Sequence, residues 1–262
     1  MSEILQAFVP NRAVSKSTVK LIVGVQVTAF FLLWFFSPWV LLPSIGETWN
    51  AFVEQWGQGL GAELITSFVA NMQAIGLACI ISLGLAYLTV LGGFRPVVTA
   101  LSKLRFLSMV GLSFFFTSAT HNQHQEKISM LVFSISVFFV TGMADVIESI
   151  PKEQYDLART LRMSPWRVVW EVVVLGQIDK AFDVLRQNAA IGWMMLTMIE
   201  GMTRTDGGVG AMLLNAQKHF YLNAIMAIQI TIMLMGLAQD YLIGVAKNKL
   251  FCSYASLGSE QK

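Results

Sequence analysis

A few polar side chains interrupt the long apolar runs of this sequence, and chemistry would be expected at them. His121 and His124 lie three residues apart and could bind a metal ion, but one short loop without a third ligand favours a solvated polar turn. Glu200 could line a substrate pathway, because charges at membrane depth are often functional, or it could face water near the outer boundary. No carboxylate pair or nucleophile–base set in the sequence predicts catalysis.

Three further polar residues, Asn71, Thr117 and Thr197, lie within apolar runs. Hydrogen bonds between neighbouring helices are the default interpretation of such residues, and substrate contact is the alternative. With Glu200, they are the candidate substrate-pathway residues. The sequence contains no G-x-x-x-x-G-K-[ST] loop, so we expect no ATP site in it. Cys79 and Cys252 indicate neither a disulfide framework nor a metal site.

We expect membrane helices to hold these polar residues in position. Of the 262 residues, 55% are hydrophobic and only 13% are charged, whereas soluble domains carry about 25% charged residues. The net charge of +2 is too small to indicate nucleic-acid binding. A span needs about 20 mostly apolar residues. Six candidates meet this need: 21–42, 64–91, about 96–119, 128–147, about 184–202 and 221–246.

The positions of Lys and Arg predict how these spans are oriented. With both termini in the cytoplasm, 15 of the 18 Lys and Arg residues lie inside, as cytoplasmic loops require. The three exceptions are Lys127, Arg204 and Lys218. The first twenty residues are polar, and the apolar run after them is too long for a cleavable signal peptide. We therefore expect a multi-pass protein of the plasma (inner) membrane, in contact with lipid. It would comprise a cytoplasmic arm (1–20), a transmembrane domain (21–247) and a cytoplasmic tail (248–262).

A charged island of the sequence, from Glu148 to Leu175, separates the fourth and fifth predicted spans. Pro151 suits the first position of a helix, and Glu153 lies in the first turn, where the helix dipole favours negative charge. Leu157, Ala158 and Leu161 would share one face of that helix.

The end of this island repeats the helix-start signal. Ser164 and Pro165 indicate an N-cap followed by a first helical proline. We predict a short helix, a sharp corner at 163–164 and a second helix whose apolar stripe is Val168, Val169, Val172 and Val173. Asp179 and Asp183 would pair with the basic residues of the island. Such a segment could be an ordinary interfacial helix or a projecting mechanical handle.

The run L-A-R-T-L-R-M-S-P-W-R (157–167) resembles the cytoplasmic loop motif of ABC importer permeases. That motif reads E-A-A, three residues, G, nine residues, I, one residue, L-P. Positions 156–158 match E-A-A, Arg162 matches the glycine, Val172 matches the isoleucine and 174–175 match L-P. The residues of this run are similar to those in permeases of the nitrate/sulfonate/taurine type. Leu42-Pro43-Ser44 before an amphipathic outer segment (48–56), and Glu200 before Gly208-Val209-Gly210, add to the resemblance.

This resemblance implies an all-α, type I ABC importer permease with about six transmembrane helices and a coupling loop (148–176). Two permease subunits, identical or diverged, would form the pore for a small solute such as nitrate, a sulfonate or taurine. An extracytoplasmic binding protein would deliver the solute. Separate ATPase subunits would use ATP and Mg, so this chain would bind no cofactor and would not be an enzyme. The ATPase-coupling residues would be Glu153, Asp156, Ala158, Arg159, Thr160, Leu161, Arg162, Ser164, Pro165, Trp166 and Arg167.

The loop also departs from the motif at its glycine. Glycine adopts backbone angles that other residues resist, so Arg162 would form the corner with the help of the Ser164-Pro165 restart, or it would extend the first helix. Two other functions stay open: a secondary carrier or channel without an ATPase, and a permease-like membrane scaffold or sensor. A carrier would need no docking helix and would usually show an internal repeat.

Overall fold

The computed structural model describes residues 15–35, 42–203 and 207–258. Most of the predicted arm (1–20), the end of the first predicted span (36–41), Arg204 and the last four residues of the predicted tail lie outside these ranges. Every described element of secondary structure is helical, which confirms the predicted all-α class.

The helices follow one another along the chain with short connections. The first six are α1 (Lys16–Phe35), α2 (Ile45–Gly57), α3 (Leu60–Leu88), α4 (Arg95–Lys103), α5 (Met109–Ala119) and α6 (Gln123–Glu148). The others described are α7 (Lys152–Thr160), α8 (Pro165–Val168), α9 (Ile178–Thr203), α10 (Val209–Lys218) and α11 (Leu222–Gly258). A 3-10 turn (Leu104–Phe106) follows α4, and a π-helical stretch (Val169–Leu175) continues α8.

Four of the described helices, α1, α3, α6 and α11, are long and apolar enough to cross a membrane. The predicted third span (96–119) is not one continuous helix, because the chain bends by 108° between 95–106 and 109–119. Leu107 and Ser108 adopt extended backbone angles at this bend and interrupt the helix. If the bent pair counts as one span, the number rises to five.

Helix α9 matches the fifth predicted span in position and is one unbroken helix of 26 residues. It is not among the four helices that are long and apolar enough to cross a membrane, since its first turns carry Asp179, Lys180, Asp183 and Arg186. The count of six spans therefore stays a prediction.

The core of the bundle forms where α6 packs against α3 and α9. Met130, Leu131 and Ile135 of α6 are fully buried. Helix α3 presents small buried residues on this side, including Ala70 and Ala74, and small residues let helix backbones approach closely in membranes. This packing holds the start of α3, the start of α6 and the end of α9 close together.

The amphipathic segment predicted before the second span is α2. Ser44 is its N-cap: the Glu47 backbone N–H donates to the Ser44 hydroxyl at 3.3 Å, and the Ser44 backbone N–H donates to the Glu47 carboxylate at 2.9 Å. This reciprocal pair is a capping box. The hydrogen bonds from Ser44 hold the pKa of the Glu47 carboxyl below its ordinary value.

Candidate functional site

The island folds as two short helices that meet at a corner, as predicted. Helix α7 begins at Lys152, and Pro151 takes the N-cap position rather than the predicted first helical position. Glu153 lies in the first turn. The Ile150 side chain just before the helix is buried and anchors the segment to the bundle.

The corner is made by Arg162 itself. Arg162 has a φ of 54°, in the left-handed region that glycine favours. Its N–H donates to the Arg159 carbonyl at 2.9 Å, and the Met163 N–H donates to the Ala158 carbonyl at 3.2 Å. These two bonds form a Schellman motif, the usual way of ending a helix at a left-handed residue. The prediction of a corner at 163–164 was therefore wrong by one residue, and Arg162 does not extend the helix.

The second helix begins where the sequence predicted, but it is wound differently. Ser164 is the N-cap and Pro165 the first helical residue, although the Ser164 side chain makes no capping hydrogen bond. From Val169 the helix is π-wound. Val168 and Val173, five residues apart, are its buried positions, as a π-turn places them on one face. Val169 and Val172 of the predicted stripe are half-buried.

Four large apolar side chains of the two helices face outward. The exposed fractions are 64% for Leu157, 63% for Leu161, 70% for Trp166 and 58% for Trp170. We call these four residues the elbow surface. Ala158 points toward the bundle and is buried. The three residues predicted to share one face of α7 therefore do not share it, because Leu157 and Leu161 are exposed. An apolar patch of this kind marks a site of contact with another molecule.

The predicted coupling residues are accessible as a group. All of them except Ala158 are exposed. Asp156 and Arg159 approach to 3.4 Å, and Arg167 and Glu171 approach to 3.6 Å. Exposed ion pairs of this kind contribute about 0.2–1 kcal/mol to stability, so their charges stay available to a partner. The Thr160 hydroxyl donates to the Leu157 carbonyl at 2.7 Å within the helix.

We call the two short helices of the island, α7 and α8, and the corner between them the elbow. A cavity of about 890 Å³ lies between the elbow and the adjacent ends of α4 and α6. Its lining includes Arg95, Glu148, Tyr155, Arg159 and Trp166. Arg95 and Glu148 form an ion pair of 2.8 Å across it. Partial burial raises the pKa of the Tyr155 phenol, so this side chain is neutral at physiological pH.

Asp179 and Asp183 do not pair with the basic residues of the island. Both carboxylates contact the Lys247 ammonium of α11 instead, at 2.9 and 2.7 Å. The sequence prediction for these two residues was wrong because their partner is close only in the folded chain. Arg186, one turn further along α9, forms a two-pronged ion pair with Asp240 of α11.

The four candidate substrate-pathway residues do not form one cluster in this chain. Asn71 is buried and donates to the Gln239 side chain at 3.2 Å. Thr117 donates to the Glu126 carboxylate at 2.5 Å. Both bonds fit the default interpretation of polar residues between helices. Thr197 is half-buried and lines an open cavity of about 710 Å³.

Glu200 is fully buried, which excludes the interpretation that it faces water. The Ser67 hydroxyl donates to its carboxylate at 2.7 Å, the Gly210 N–H donates at 3.0 Å, and the Lys127 ammonium lies at 3.7 Å. Lys127 is also fully buried. Glu200 thus joins α3, α6, α9 and the start of α10.

The turn before α10 fits around this carboxylate only because it contains glycine. A Cβ at Gly208 would lie 2.2 Å from the Glu200 carboxylate, and Gly208 has a φ of 105°. A Cβ at Gly210 would lie 2.3 Å from the Thr197 carbonyl oxygen. The resemblance seen in the sequence links Glu200 to these glycines, but no pattern in it predicted that Ser67 and Lys127 contact Glu200. Lys127 had one signal, because it is a charge directly before an apolar run.

His121 and His124 are both exposed, and between them Asn122 caps α6 by accepting from the His124 N–H at 3.1 Å. Among the residues that the structure describes, no group of three or more His, Cys, Asp or Glu side chains could hold a metal ion. The geometry is that of a polar turn.

Comparison with known proteins finds similarity to permease proteins of transport systems. The chain is 25% identical over 187 residues to the bicarbonate transport system permease protein CmpB of Synechococcus elongatus, and equally to that of another Synechococcus strain. The match covers 70% of this chain and 66% of each relative, just under two thirds of their length. No model of a protein family matches the chain.

A solved structure of the MetNI methionine ABC transporter, in inward-facing conformations, matches with a TM-score of 0.48 and 16% identity, and the match covers 76% of this chain and 95% of that chain. The relatives do not distinguish the nitrate/sulfonate/taurine type. By its similarity to the CmpB permeases, this chain resembles the permease subunits of ABC importers, as its loop residues predicted.

Proposed function

We propose that this chain is the transmembrane permease subunit of an ABC importer. The observation that carries the proposal is the elbow, which occupies the position of the permease loop motif and presents Leu157, Leu161, Trp166 and Trp170 outward. A separate ATPase would receive this surface in a groove, as amphipathic helices dock in other complexes. The chain itself would not hydrolyse ATP, and ATP and Mg would bind to the ATPase.

The geometry of the elbow supports a role as a handle. Helix α7 makes its main contacts with the helix that follows it, so the corner projects from the bundle. The Schellman bonds at Arg162 fix the angle between the two helices. A fixed, projecting corner transmits a push, whereas a loose loop would absorb it.

The remaining parts of the proposal rest on the resemblance. A second permease subunit, identical or diverged, would complete the pore, and a binding protein would deliver the solute outside. Both termini and the elbow would lie in the cytoplasm. The solute would be a small anion. The name of the relatives specifies bicarbonate, and the loop sequence is similar to that of permeases for nitrate, sulfonates and taurine.

Purification from native membranes in mild detergent tests this function. A tagged chain should recover a protein with a phosphate-binding loop, and Trp166→Ala should reduce that recovery at least fivefold because a large docking side chain is lost. Trp49→Ala is the matched control, since Trp49 is 64% exposed on α2, away from the elbow. Arg167→Glu should reduce recovery as well, with unchanged insertion into the membrane.

Two results would contradict the proposal. If wild-type chain recovers no nucleotide-binding partner yet transports a solute in vesicles, a carrier or channel is the better interpretation. If it neither recovers a partner nor transports, a membrane scaffold is favoured.

A further inference from the structure

Two groups of ion pairs join the first half of α9 to α11. The Lys247 ammonium lies 2.9 Å from Asp179 and 2.7 Å from Asp183. The Arg186 guanidinium donates two hydrogen bonds, one to each carboxylate oxygen of Asp240. Two-pronged Arg–carboxylate pairs fix the relative orientation of the two groups as well as their distance.

These residues are spaced so that they form one line along each helix. Asp179, Asp183 and Arg186 follow each other by four and three residues, which places them on one face of α9. Asp240 and Lys247 are seven residues apart, which is about two turns on α11. The helices run antiparallel, so the pairs lie at successive levels. We call this set of five residues the ionic ladder.

The ladder continues into the bundle as a buried hydrogen bond. The Trp193 indole N–H donates to the side-chain amide oxygen (Oε1) of Gln239 at 2.6 Å. Asn71 of α3 donates to the same oxygen at 3.2 Å. The α9–α11 contact is therefore tied at its membrane-side end and at the end near the elbow.

The connection between the elbow and the ionic ladder is short. Only Gly176 and Gln177 separate the π-helical stretch from α9. The Gly176 N–H donates to the Glu171 carbonyl at 3.0 Å, and the Gln177 side chain is buried. A displacement of the elbow must therefore move the first turns of α9.

We propose that the ionic ladder makes α11 move with the elbow, so that α11 is a transmission element of the transporter. This inference rests on the proposed function, because it needs an ATPase that moves the elbow. Partly exposed ion pairs add little to folding stability. Their consequence here is mechanical: they prevent α9 and α11 from sliding past each other at the level of Arg186 and Asp240.

Spin labels measure this coupling directly. In a background with Cys79→Ser and Cys252→Ser, cysteines replace Lys180 on α9 and Leu242 on α11, both exposed. In the purified chain, the distance distribution between the labels should be narrow. Asp240→Asn should at least double its width, and the charge-swapped variant Arg186→Asp with Asp240→Arg should make it narrow again. Arg95→Gln, which breaks the exposed ion pair with Glu148, is the matched control and should change nothing.

A second measurement uses the complex with its ATPase. With cysteines at Leu242 and at Ile80, an exposed position on α3, addition of ATP, Mg²⁺ and vanadate should shift the distance in the wild type and in the charge-swapped variant. The shift should be lost in Asp240→Asn while the ATPase still copurifies. An unchanged distribution and an unchanged shift in Asp240→Asn would overturn the proposal. If no ATPase copurifies, the proposed function fails and the transmission role fails with it, while the first measurement still decides whether the ladder holds the two helices together.

Discussion

At the scale of single residues, Arg162 is the clearest case of a side chain in an unfavourable conformation. Its left-handed backbone costs roughly 1–2 kcal/mol relative to glycine. The surrounding Schellman bonds and the Ser164-Pro165 restart hold it there. The sequence predicted a corner near this point, but it assigned the corner to a later pair because arginine disfavours positive φ.

Arg162→Gly should therefore stabilise the corner by about 0.5–1 kcal/mol, a net gain after the greater freedom of glycine in the unfolded chain is subtracted. Hydrogen exchange at the Met163 amide, which donates to the Ala158 carbonyl, should slow severalfold. Thr160→Gly is the control, because glycine has a lower helix propensity than threonine and should destabilise the last turn of α7 by about 0.3 kcal/mol. Faster exchange in Arg162→Gly would show that the arginine side chain itself supports the corner.

Glu200 and Lys127 form a buried pair whose charges depend on each other. Glu200→Gln should destabilise the fold by about 3 kcal/mol, because it removes the negative charge 3.7 Å from a buried ammonium. Lys127→Met together with Glu200→Gln should cost less than the sum of the two single changes. Denaturation in mild detergent measures this, and strictly additive losses would mean that the two charges do not interact.

At the scale of helices, the structure shows which signals are local. The start of α8 was predictable because Ser164 and Pro165 act within one turn. The bend at Leu107 and Ser108 was not, because apolar residues continue across it and no Gly or Pro marks the break. The pairing of Asp179 with Lys247 depends on how α9 and α11 pack, and no local pattern contains that information.

Helix α2 provides a pH-dependent test of local structure. The pKa of Glu47 is lowered by its bonds to Ser44, so the charged form favours the folded cap. Its contribution is present above the ordinary pKa of 4.5 and is lost as the pH falls through the lower, folded value. The protection factors of the α2 amides, which correct for the intrinsic pH dependence of exchange, should therefore fall as the pH drops below 4.5.

Glu47→Gln should remove most of this pH dependence, while Glu54→Gln, a change in the same helix away from the cap, should keep it. Wild-type α2 amides whose protection factors do not change between pH 3 and 6 would contradict the interpretation of Ser44 and Glu47 as a capping box.

At the scale of the whole molecule, α11 is longer than a membrane is thick. Its 37 residues extend about 55 Å, whereas the hydrocarbon core is about 30 Å across. If its first residues begin at the outer face, its last turns must project into water beside the elbow. On the same condition, Asp240 lies about 27 Å and Lys247 about 38 Å from the start of α11, so these ladder residues lie at and just beyond the edge of the hydrocarbon core, where charged residues are tolerated.

Labelling from each side of the membrane tests the predicted orientation. A cysteine at Trp166 should react with a membrane-impermeant maleimide only from the cytoplasmic side, and a cysteine at Trp49 only from the outside. Inside-out vesicles and intact cells give the two measurements. Labelling of both positions from one side would contradict the predicted orientation.

We propose that the elbow surface receives force from a nucleotide-driven partner. A photo-crosslinking amino acid in place of Trp166, with one in place of Trp49 as the control, tests it in native membranes. We expect a crosslink from position 166 to an ATPase, with a yield that changes when ATP is added, and no crosslink from position 49. Crosslinks from position 166 to lipid alone, with and without ATP, would contradict it.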